Sequence, residues 1–92
     1  MNKPLFRLGR LCATPGALDA LTTNGTHPLE LLRRHCSGDW GQVPPEDAAA
    51  NLLAIALNER VISSYVLADS TRIWIISEAD RSATTLLLPD EY

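Results

Sequence analysis

The spacing of hydrophobic positions changes late in this chain. Up to about residue 57 apolar residues recur at helical intervals, and from Val61 onward they fall in short runs rich in β-branched residues. Leu5–Cys12 alternates loosely, with Phe6, Leu8 and Leu11 apolar around Gly9, and predicts a short N-terminal strand. Thr14-Pro15 gives a helix start, a hydroxyl cap followed by proline at the first helical position, with Ala17, Leu18 and Leu21 as its apolar stripe. Asn24-Gly25 stops it. A second helix is predicted from Pro28 to Cys36, capped by Thr26. It carries Leu29, Leu32 and Cys36 at i, i+3 and i+7, with Arg33, Arg34 and His35 in its last turn. Pro44-Pro45-Glu46-Asp47 opens the third and longest helix, whose buried face is predicted to be Ala49, Leu52, Leu53 and Ala56.

The last third reads as an antiparallel meander: Val61–Leu67, Arg72–Ser77 and Thr84–Leu88, joined by a tight connection at Ala68–Thr71 and a longer one at Glu78–Ser82. A turn centred on Asp69 and Ser70 would place Tyr65 opposite Trp74 and Leu67 opposite Arg72. One sheet face would then carry Ile62, Ser64, Val66, Ile73, Ile75 and Ser77 toward the helices. The other would carry Val61, Ser63, Tyr65, Leu67, Arg72, Trp74 and Ile76. The expected fold class is α+β: two to three N-terminal helices packed on a three-stranded meander, with room for a fourth, N-terminal strand. Residues 1–92 are expected to form a single domain.

Composition sharpens this reading in three places. A 46% hydrophobic and 21% charged chain is globular rather than disordered. Met1–Arg10 has no apolar region after its cations, no run approaches membrane-spanning length, and two cysteines make no disulfide framework; these features point to a cytoplasmic protein with no membrane contact. The net charge of −3 argues against a general nucleic-acid binder. Residues 1–45 hold five basic and three acidic side chains, whereas residues 46–92 hold three and eight, which allows an acidic surface that meets a basic partner.

Catalytic chemistry finds little support. Cys12, His27, His35 and Cys36 lack the short ligand spacings of a zinc site, so no metal and no cofactor is expected, Cys36 reads as a buried core cysteine and the histidines as surface residues. Helical neighbours such as His35 and Cys36 point about 100° apart and form no nucleophile–base pair. Gly38-Asp39-Trp40-Gly41 lacks the lysine and preceding strand of a phosphate loop. A compact ribonuclease or toxin would use His35 with Arg72, and Arg81 and Thr84 or Thr85 beside them, to hold a phosphate. Tyr65, Trp74 and Arg72 read either as a binding face or as an ordinary cross-strand aromatic pair. Trp40 reads either as a plug at the core edge or as an exposed anchor.

Three blocks, Gly38-Asp39-Trp40-Gly41, Ile75–Ser82 and Thr84–Tyr92, resemble a family of small, mostly uncharacterised proteins carried on plasmids, integrative elements and prophages; Ser77 stands where that family usually has threonine. The resemblance implies a non-enzymatic inhibitor of anti-CRISPR or antirestriction type. Such a protein would bind a host defence protein or ribonucleoprotein complex and cover its nucleic-acid-binding surface, with carboxylates in place of phosphates. Expected partner-binding residues are Glu78, Asp80, Asp90 and Glu91, then Asp39 and Trp40, with Arg72, Trp74 and Arg81 alongside. Direct contact with bound RNA stays open, as does a DNA-accessory role for the mobile element.

Overall fold

A tight turn decides how the sheet of this protein is built. In the computed structural model, which describes residues 3–92, the connection after the second strand has three residues rather than two. Leu67 N–H donates to the Thr71 carbonyl (2.8 Å), and Ser70 takes the left-handed conformation at φ 73°. This is the three-residue hairpin loop, a turn closed by one left-handed residue. Asp69 braces it, its carboxylate accepting from Thr71 N–H (3.0 Å) while its own N–H donates to Asn24 (3.0 Å).

The elements follow in order β1 (Arg10–Ala13), α1 (Pro15–Thr23), α2 (Pro28–Cys36), α3 (Pro45–Leu57), β2 (Val61–Val66), β3 (Arg72–Ser77) and β4 (Ala83–Leu87), with a 3₁₀ turn at Pro89–Glu91. The sheet order is β1-β4-β3-β2; β2-β3-β4 is the antiparallel meander, and β1 adds to β4 in parallel. The class is α+β, with helices in the N-terminal part and the meander after them. The N-terminal strand is real but shorter than expected. Leu5 to Gly9 are not strand, and Gly9, at φ 67°, packs so close to the Arg81 and Ser82 carbonyls that a Cβ would collide with them.

The extra loop residue moves the β2–β3 register by one position. Tyr65 pairs with Ile73 and Ser64 with Trp74, so the expected Tyr65–Trp74 pair does not form. Because side chains alternate, a one-residue slip exchanges the two faces of a strand. Val61, Ser63 and Tyr65 of β2, and Leu67 just after it, share the helix-facing side with Ile73, Ile75 and Ser77, and Ile62, Ser64 and Val66 turn to the open side with Arg72, Trp74 and Ile76.

Helices α1 and α2 cover the inner side. Ala17 and Leu21, Leu31 and Leu32 pack on Tyr65, Leu67, Ile73, Ile75 and Leu86 in the main core. Thr14 caps α1 as its sequence predicts, accepting from Ala17 N–H (3.1 Å). The cap of α2 is His27, whose Nδ1 accepts from Leu29 N–H (3.1 Å); Pro28 at the first helical position makes the residue just before it the cap, and Thr26 lies one too early. Leu18 and Leu29 turn outward.

Helix α3 reverses its expected orientation. It lies along the β2 edge and buries Asn51 and Ala54, while Leu52, Leu53 and Leu57 are exposed. The cause is backbone chemistry. The Asn51 amide donates to the Ile62 carbonyl (2.8 Å) and accepts from Ile62 N–H (3.1 Å), pairing the edge strand as another strand would. Two residues on, Ser64 N–H donates to the Trp40 carbonyl (3.0 Å) and the Ser64 carbonyl accepts from Gln42 N–H (2.6 Å). A buried amide that satisfies two backbone groups outweighs the tendency of the leucine stripe to turn inward.

Candidate functional site

His35 is a core residue rather than a surface one. Wholly buried, it is held between Ser63 at Nδ1 and Ser77 at Nε2 (2.9 Å). Ser77 continues to Thr84 (2.6 Å), and Thr84 donates to the Leu8 carbonyl (2.7 Å). A carbonyl can only accept, and each hydroxyl has one proton, so the chain fixes its own polarity. Thr84 donates to Leu8, Ser77 to Thr84, the Nε2–H of His35 to Ser77, and Ser63 to Nδ1. Burial, with the Arg81 charge adding to it, lowers the His35 pKa to about 4, so the ring stays neutral. Ser63 and Ser64 are consecutive strand residues facing opposite sides, and Arg72 bonds Ser64 (3.0 Å). The sheet therefore stands between His35 and Arg72, and the phosphate-holding pair of a ribonuclease does not assemble.

The Asp39-Trp40 loop is structural. Asp39 receives two bonds from Arg34 (2.7 and 3.3 Å) and one from Gly41 N–H (3.2 Å), and its carbonyl accepts from the Tyr65 hydroxyl (2.7 Å). The Arg34 bond holds the Asp39 carboxyl below the usual carboxylate range, while the Arg34 guanidinium lies 4.6 Å from the Tyr65 ring centre. Trp40 is 6% exposed. It forms a second core with Ala54 and Val61, closed over by Phe6, and is not a surface anchor. Cys36 is buried as its position in α2 predicts.

Most of the other expected contact residues have work inside the molecule. Arg81, in the left-handed region at φ 59°, donates to the carbonyls of Glu59 (2.7 Å), Glu78 (2.8 Å) and Ala54 (3.2 Å), tying the end of α3 to the β3–β4 connection. Glu78 pairs with Arg60 (3.7 Å), and Asp80 accepts from Ser82 N–H (3.0 Å) within its own turn. Glu91 accepts from the Thr14 hydroxyl and from Leu88 N–H (2.7 Å), bonds that lower its pKa. Asp90 is exposed. Three of these four carboxylates, Glu78, Asp80 and Glu91, are thus engaged within the molecule.

Arg72 and Trp74 do come together, on the open side of the sheet. They lie in a groove of about 650 Å³ whose floor includes Ile62, Ser64 and Ile76 and whose wall is the Asp47–Ala54 side of α3. Tyr92 closes one end, its ring edge-on to Trp74 at 5.9 Å and its hydroxyl accepting from Arg60 (2.8 Å). Beyond the wall, the outer side of α3 shows Ala49, Leu52, Leu53, Ala56 and Leu57, spaced i, i+3, i+4, i+7 and i+8 as a single stripe. Leu52 and Leu53 are each 58% exposed and Leu57 56%.

No family model, curated protein or solved structure matches the chain.

The site is thus defined by its own geometry. Among the described residues no group of His, Cys, Asp and Glu converges as a metal site, and no helix is long and apolar enough to cross a membrane. Sequence reasoning missed Arg60, Tyr92 and the outward role of α3. The leucine spacing was a visible signal, but periodicity marks a buried stripe without saying whether the covering surface belongs to the same chain.

Proposed function

We propose that the protein acts by binding, with the outer stripe of α3 as its docking face for a protein whose surface has an apolar centre and a basic rim. The observation that carries this reading is the set of leucines, each more than half exposed, on the longest helix. Contiguous exposed apolar surface of this kind marks interaction sites, and covering each leucine contributes roughly 1–2 kcal/mol. Glu46, in the first turn of α3, sets a carboxylate at the start of the stripe, whereas Asp47 and Glu59 line the groove. Glu46 complements a basic side chain beside an apolar centre. This is the surface needed to cover the nucleic-acid-binding region of a host defence complex, the inhibitor role that the mobile-element resemblance implies. The acid that meets the partner is then Glu46, in place of Glu78, Asp80 and Glu91.

The test is target-DNA binding by purified host CRISPR and restriction complexes, followed by gel shift. The wild-type protein is expected to suppress binding by one of them, and Leu53→Glu/Leu57→Glu to lose at least tenfold in potency while keeping its circular dichroism. Lack of suppression by the wild type, or equal potency of the double variant, would reject the proposal. So would sedimentation showing a stable dimer that the double variant abolishes, because the stripe would then belong to a second copy of this chain.

A further inference from the structure

The groove on the open side of the sheet has a chemistry of its own, separate from the outer stripe of α3. Its volume of about 650 Å³ lies in the range of small-molecule sites, and its floor of Ile62 and Ile76 is apolar. Arg72 stands in it with one internal bond, from Nη1 to the Ser64 hydroxyl, and among the described residues no carboxylate lies within ion-pair distance of it. That single bond orients the guanidinium and leaves most of its donors unspent. Trp74, two residues along the same side of β3, is half-buried and offers a ring to stack against.

The neighbouring end of the groove shows what this set of groups holds. There the ring of Tyr92 sits against Trp74, with the Arg60 guanidinium 5.6 Å from its centre and bonded to its hydroxyl. An aromatic ring bearing an oxygen is thus already gripped by one arginine and the tryptophan. Arg60 is engaged by Glu78 and Tyr92, whereas Arg72 has only a serine.

From this arrangement we infer that the groove is a binding site for a planar ring carrying an anionic group, a carboxylate or a phosphate, with Arg72 on the anion and Trp74 against the ring. A guanidinium presents a planar fork to both anions, and a charged bond beside apolar walls is stronger than one in open water. Stacking on Trp74 adds affinity for any flat ring. The anion is what separates a ligand from its neutral analogue.

The experiment is a two-dimensional NMR titration of the intact protein with adenosine 5′-monophosphate and with indole-3-carboxylate. Adenosine and indole-3-carboxamide serve as the neutral counterparts. The indole N–H of Trp74 reports on the groove, and that of buried Trp40 reports on the fold. The expected result is a saturable shift at Trp74 with an anionic probe, unmoved Trp40, and at least tenfold weaker binding of the neutral counterpart. Arg72→Gln is expected to remove that discrimination while leaving the Trp40 resonance in place. Whichever anion binds more tightly names the source, nucleotide phosphate or aromatic acid. Silence at Trp74 with both anions, equal binding of the neutral compounds, or unchanged discrimination in R72Q would overturn the inference.

Discussion

His35 and its hydroxyl chain make one side chain the pH-sensitive point of the core. Its folded pKa of about 4 lies below the ordinary 6.5, so between those values the unfolded chain binds the proton more readily. The stabilisation is therefore complete above pH 6.5 and declines as the pH falls toward 4, by about 3 kcal/mol in all. Protonation would place a hydrogen on Nδ1, where Ser63 now donates, so the first bond of the chain must also reverse. Urea unfolding of the wild type and of His35→Gln at pH 7.5 and 4.5 checks this: the wild type should lose the larger share of its stability. Equal losses would remove His35 as the cause. Nothing local in the sequence revealed this residue. Helical spacing put Cys36 in the core, but His35 is buried because two serines and a threonine from three strands and a carbonyl from the N-terminal segment satisfy it. Such partners are separated by up to 76 positions along the chain.

At the level of elements, what was legible depended on whether the signal was local. Thr14-Pro15, the stop at Asn24-Gly25 and the three runs of the meander all formed where their sequence put them. Register was less legible, because Asp69 and Ser70 suit a two-residue turn and a three-residue loop alike, and what separates them is the Leu67–Thr71 bond, with Ser70 but not Asp69 in the left-handed region. The orientation of α3 was not legible. Its leucines outweigh Asn51 on any hydrophobicity scale, yet Asn51 faces inward because β2 is an edge strand with backbone groups to satisfy. Asn51→Ala should leave the Ile62 N–H and C=O without partners and cost about 2–3 kcal/mol. In urea this reads as a lower midpoint at unchanged slope, and incubation near the new midpoint should bring faster thioflavin-positive aggregation. A midpoint equal to that of the wild type would show that water replaces the amide at no loss.

Across the whole molecule the two proposed surfaces share one support. Helix α3 turns its leucines outward and its other flank to the groove, and both depend on Asn51 and Arg81 holding it against the sheet. The contact residues expected from sequence were mostly charged, and a charge is as useful for closing a turn as for meeting a partner. Asp39, Glu78, Asp80, Arg81 and Glu91 serve the fold, whereas Arg72 and Trp74 remain for the groove.

The parallel pairing of β1 with β4 has a consequence for biosynthesis. Arg10–Ala13 leaves the ribosome long before Ala83–Leu87, the strand it pairs with, and Thr14 and Leu8 likewise await Glu91 and Thr84. Helices α1 and α2 must emerge with their apolar sides uncovered, and the nascent chain is open to chaperones and proteases until the meander is complete. A chain stopped after Ser82 should accordingly show no cooperative thermal transition, whereas one extended through residue 92 should. A cooperative transition in the shorter chain would mean that the helices and first hairpin can settle without β4.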